Sequence, residues 1–128
     1  MTAGRAILLF AHGARDPRWA EPFEAIAARM RAADPESTVA LAFLELMTPR
    51  LAEAADALIA AGARRIDIVP LFLGTGGHLR KDLPPLVDAV RAAHPDVTVT
   101  LHAAIGEHPD VAEAMARAAL GVTVGGGE

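Results

Sequence analysis

The sequence predicts an α/β domain of three layers, with a four-stranded parallel sheet in the order 2-1-3-4 between helices. Three observations carry this. Apolar runs of strand length alternate four times with segments of helical periodicity; the runs are continuous rather than alternating, as in strands buried on both faces; and the connections are short. At 128 residues the chain has the size of one domain, spanning 1–128, with room for one core and no linker. Hydrophobic residues make up 52% and charged residues 22%, too apolar a balance for a disordered chain.

The first strand is Arg5–Ala11 (RAILLFA), after which Trp19, Phe23, Ile26 and Met30 recur at helical spacing. Val39–Leu44 is the second strand. Thr48 then reads as an N-cap with Pro49 at the first helical position, and Leu51, Ala55, Leu58 and Ile59 share a face until Gly62 ends the helix. The third strand is Ile66–Leu73, with Pro70 inside it predicting a bulge or kink near its end. Asp82 is expected to cap a third helix through Leu83, Leu86, Val87 and Val90, which stops at His94-Pro95. Val97–His102 is the fourth strand. Val111, Met115 and Ala118 mark the last helix, followed by a frayed tail over 121–128.

Composition excludes several classes. With no cysteine there are no disulfides, thiolate nucleophiles or zinc-thiolate sites, so any metal chemistry rests on histidine and carboxylate. A net charge of −4, with no basic block, argues against a nucleic-acid partner. No apolar run approaches the roughly 18 residues of a membrane span. The first sixteen residues carry one arginine before a short apolar run and no cleavage site, so the expectation is a cytoplasmic protein.

In sheets of this order ligands sit beyond the carboxyl ends of the strands, where the strand order reverses. The loops there bring forward two of the five histidines. His12 ends the first strand and is followed by Gly13, which permits close approach. His78 stands behind Gly74, Thr75, Gly76 and Gly77. His94 reads as a helix-end residue and His108 as a turn or capping residue, while His102 is open between the two kinds. Glu45 can add a carboxylate on the same rim. Arg15, Arg18, Arg80 and Lys81, with the amides of Gly76 and Gly77, can hold carboxylates or phosphates. Imidazoles with ordinary pKa values near 6.5 either ligate a divalent metal or accept protons at neutral pH. The chemistry indicated is therefore metal binding or proton transfer on an anionic substrate.

AHGARDP, AFLEL followed by Pro49, VPLFLGTGGHLRKDLP and AIGEHP, in this order over nearly the whole chain, resemble the small sirohydrochlorin chelatases of the CbiX/SirB type. The third-loop pattern is the most specific. The resemblance implies ATP-independent insertion of a divalent metal, cobalt first and then iron or nickel, into sirohydrochlorin or a related polycarboxylate tetrapyrrole, with no organic cofactor. It implies that His12 and His78 bind the metal and accept protons and that Glu45 assists; the carboxylates of such a substrate need cationic or amide partners, which Arg15, Arg80, Lys81 and the amides of Gly76 and Gly77 can provide. Longer relatives carry two such domains, so one domain implies a homodimer with the site in the inter-subunit cleft. The chain departs from the family pattern at Ala11 and Ala14, where Gly and Ser are usual, and in GTGGH before the histidine.

Two other readings stand beside it. A metal or tetrapyrrole carrier needs the same ligands. A phosphoryl-transfer enzyme of the histidine-phosphatase type needs an arginine directly before the histidine to clamp phosphate, and that residue is Ala11.

Overall fold

A computed structural model describes residues 4–74 and 76–124, the side chain of His78 excepted. The strands are β1 (Arg5–Ala11), β2 (Thr38–Phe43), β3 (Arg65–Pro70) and β4 (Thr98–Leu101); the helices are α1 (Glu21–Ala33), α2 (Leu51–Ala60), α3 (Gly77–Ala93) and α4 (Pro109–Val124). All pairings are parallel, and the order is β2-β1-β3-β4. The sheet thus has the order its sequence predicts.

Alternation along β1 divides the core. Ala6, Leu8 and Phe10 join Ala42, Ile66 and Ile68 under the apolar stripes of α2 and α3. On the opposite face Leu9 packs with Val39 and Ala27 of α1. The fully buried Phe10 sits where the two central strands meet, edge-on to Phe72 at 6.2 Å between ring centroids.

Several local expectations are corrected. Pro70 produces no bulge: the register runs unbroken from Arg5 opposite Arg65 to Phe10 opposite Pro70. The amide of His102 donates to Ile68 and that of Leu71 to Phe10, so the hydrogen-bonding side of Pro70 faces β4 just where β4 has ended, and its missing N–H costs no ladder bond. α2 begins at Leu51 after Arg50, not at Pro49; the Glu53 carboxylate accepts the Arg50 amide at 2.7 Å. Asp82 lies inside the third helix rather than at its start: α3 begins five residues earlier, after Gly76, and runs through Pro84 and Pro85. Residues 121–124, expected to fray, extend α4, and 125–128 lie outside the described residues.

The sheet was expected to be covered by helices on both faces. α2 and α3 cover one face and α1 part of the other, but no residue of α4 is buried. Among the described residues, no helix packs over the half of the α1 face that lies on β3 and β4.

Candidate metal-insertion site

Parallel pairing of β1 and β2 continues one step past the strands. Leu44 donates to the Ala11 carbonyl and Glu45 to the His12 carbonyl, at 2.9 and 3.0 Å. That step sets His12 beside Glu45, and His12 Nε2 donates to Glu45 Oε2 at 3.2 Å. Both side chains are half exposed at the carboxyl end of the two strands. The carboxylate fixes the imidazole's tautomer and leaves its Nδ1 lone pair for a cation or a proton. Gly13 makes the close approach possible: its φ is +101°, and a Cβ there would overlap the Glu45 carbonyl oxygen.

Around this pair stand the other residues of the rim. Arg15 lines a hollow of about 310 Å³ with Phe43, Met47 and Thr48. Arg18 is committed elsewhere: its guanidinium pairs with Asp16 at 2.9 Å, and the Asp16 side chain also accepts the Arg18 amide at 2.9 Å. Those bonds hold the Asp16 carboxyl below its ordinary pKa. Gly76 is the residue before α3 and Gly77 its first, so their amides lie at a helix N-terminus, which favours anions. His78, Arg80 and Lys81 belong to the first turns of this helix rather than to a loop. Arg80 borders a separate hollow of about 330 Å³ with Leu101, His102 and Glu107. The side chain of His78 is outside the described residues, and among those described no three metal-ligating side chains converge.

The other histidines divide as their positions suggest. His94 follows the last residue of α3 and bonds Asp56 of α2 at 2.7 Å. His108 Nδ1 accepts the Asp110 amide at 3.1 Å, capping α4. His102 donates to Asp67 Oδ1 at 2.9 Å, a partnership the sequence reading missed. The available signal was an aspartate inside the apolar run RIDIVP. Asp67 is a buried charged residue of β3; its Oδ2 lies 3.4 Å from Arg5 and 3.8 Å from Arg65 but receives no hydrogen bond. Burial pushes its pKa up. The His102 hydrogen bond and the charges of Arg65, His102 and Arg5 outweigh that and leave it below the ordinary value.

Comparison with known proteins then decides the family. The profile of the CbiX family matches residues 6–120. The chain belongs to the CbiX family. A sirohydrochlorin cobaltochelatase of Saccharolobus solfataricus is 38% identical to it over 81 residues, 63% of this chain and 62% of that protein. One from Priestia megaterium is 28% identical over 109 residues, 85% and 35% of the two chains. This CbiX-family chain thus spans between about a third and three fifths of the length of these relatives. A CbiX protein from Marinobacter aquaeolei VT8 superposes with a TM-score of 0.80 at 34% identity, over 91% of this chain and 94% of that one. The sirohydrochlorin chelatase SirB of Bacillus subtilis subspecies spizizenii, in complex with cobalt, does so with 0.79 at 25% identity, over 92% and 50%.

Proposed function

We propose that the chain inserts a divalent metal, cobalt before iron or nickel, into sirohydrochlorin or a closely related polycarboxylate tetrapyrrole, without ATP. The observation that carries this is the His12–Glu45 pair, 3.2 Å apart on the open carboxyl rim of a CbiX-family sheet. The names of the relatives, sirohydrochlorin cobaltochelatases and a SirB bound to cobalt, support the substrate and put cobalt first.

The chemistry follows from charge balance. As the divalent ion enters the macrocycle, two pyrrole N–H bonds break and two protons leave. Glu45 engages Nε2–H of His12, so Nδ1 of His12 first ligates the incoming ion or takes one of those protons. The second imidazole is assigned to His78, by its place in the third-loop motif. The half-exposed Glu45 then hands protons to water. Substrate carboxylates are assigned to the amides of Gly76 and Gly77 and to Arg15, Arg80 and Lys81, cations and donors in an otherwise acidic chain. Two copies facing one another across their rims form a cleft for a flat macrocycle, and the resulting homodimer carries two such sets.

The alternative of a carrier is separated by stoichiometry. With sirohydrochlorin at about a hundredfold excess over protein and Co²⁺ in excess of both, the pigment's absorbance is expected to convert far faster than without protein and to continue through many turnovers. Conversion that stops at one equivalent per chain identifies a carrier and overturns the proposal.

A further inference from the structure

A large apolar side chain left in water is ordinary when it stands alone. Outside α4, the two most exposed large apolar residues among those described are Leu73, at 70%, and Leu46, at 53%, and their places in the fold are related. Leu46 lies three residues beyond Phe43, the last of β2, and Leu73 three beyond Pro70, the last of β3. β2 and β3 are the two neighbours of β1, whose own continuation is His12. With neighbouring strands about 4.8 Å apart, the two leucines leave the carboxyl rim on either side of the imidazole.

Both are held in place through their backbones rather than by burial. The loop after β2 is closed by two hydrogen bonds, from the Glu45 amide to His12 at 3.0 Å and from the Phe43 amide to Pro49 at 2.9 Å. Leu46 turns the chain within that loop with a φ of +67°, a left-handed conformation that strains an L side chain and that glycine takes freely. Among the described residues it is the one residue other than glycine with a positive φ. A leucine there adds strain, yet nothing in its own chain buries the side chain that causes it. Beyond β3, the Leu71 amide donates to Phe10 at 2.8 Å and the Gly106 amide to Phe72 at 2.9 Å. Gly106 lies so close to the Leu73 backbone that a Cβ would overlap it, so this backbone is buttressed while the side chain stays in solvent.

We infer, on the reading of a tetrapyrrole substrate given above, that Leu46 and Leu73 form an apolar lip that receives the face of the ring and lays its plane across His12. Carboxylate arms are the wrong partner for two leucines, which offer no donor and would strip them of water. The flat conjugated ring is the part of such a substrate that gains from apolar contact. A divalent ion enters that ring along its normal, so a plane supported on both sides of β1 presents its centre to His12. Its edge then reaches toward Arg15, which shares a hollow with Leu46 and suits a carboxylate arm.

The test is equilibrium dialysis of sirohydrochlorin alone, without metal, against the full chain and against Leu46→Asn, Leu46→Met and Leu73→Gln, read by the pigment's absorbance. Asparagine tolerates the left-handed region better than leucine, so Leu46→Asn is expected to keep or raise the midpoint of urea unfolding; a leucine present only for folding would lower it. Pigment affinity is nevertheless expected to fall about tenfold in Leu46→Asn and in Leu73→Gln, the lower end of the range for burying a leucine. Leu46→Met keeps an apolar side chain of similar volume and is expected to stay within about twofold of the wild type. A lowered midpoint in Leu46→Asn, or an affinity unchanged in either polar variant, overturns the inference and leaves metal insertion standing. Binding by the wild type without turnover does the reverse: the lip stands and the insertion reading falls. A wild type that takes up no pigment overturns both.

Discussion

Gly13 fixes the geometry of the candidate site more tightly than either side chain that uses it. Its φ of +101° lies where L side chains are strained, and any Cβ there would run into the Glu45 backbone. Gly13→Ala is therefore expected to destabilise the fold by roughly 1–3 kcal/mol from backbone strain alone, with the overlap adding to that. Urea unfolding should show a lower midpoint at an unchanged slope; a midpoint within error of the wild type would show that the rim adapts without cost. At this scale much was legible. A glycine directly after a strand-end histidine signalled a close approach, and His94 and His108 proved to be the helix-end and capping residues their neighbours suggested. The commitment of Arg18 to Asp16 was less visible, because an i, i+2 pair meets only if the backbone turns between its members.

Among the elements, β3 departs most from a plain buried strand. Asp67 stands in its interior with a pKa held below the ordinary carboxylate value, so its ionised form stabilises the folded state. That contribution is present above the unfolded-state pKa of about 3.9 and is lost as pH falls below it through the lower folded value. Asp67→Asn is expected to lose roughly 1–3 kcal/mol near neutrality and to show a smaller further loss between pH 4 and pH 2 than the wild type. Thermal midpoints measured across that range check both; parallel acid-induced losses in the two proteins would contradict the assignment. The existence and type of the four strands and four α-helices were readable from periodicity, while the 3-10 turns Pro17–Ala20 and Ile105–Glu107, the boundaries and the caps were not. Thr48-Pro49 and Asp82 each offered a helix start that tertiary structure declined. α3 begins at Gly77, ahead of the cap expected at Asp82, and gives up two backbone N–H groups in mid-course at Pro84 and Pro85. That extension carries His78, Arg80 and Lys81 from a presumed loop into helical turns.

For the molecule as a whole, the alternation of four strands and helices was enough to place the candidate site, because the order β2-β1-β3-β4 puts the reversal between the first and third strands. What periodicity could not show was where α4 lies. An amphipathic stripe announces that a helix needs an apolar partner, but says nothing of whether the partner belongs to the same chain. The central claim concerns the pair that the fold brings together at the rim, and its most direct test is the initial rate of Co²⁺ insertion into sirohydrochlorin by His12→Ala under multiple-turnover conditions. His12 is half exposed and outside the core, so the variant should fold normally. A rate at least about 100-fold below the wild type is predicted, the usual scale for losing a proton-transferring group; a rate within about twofold of it would contradict the account.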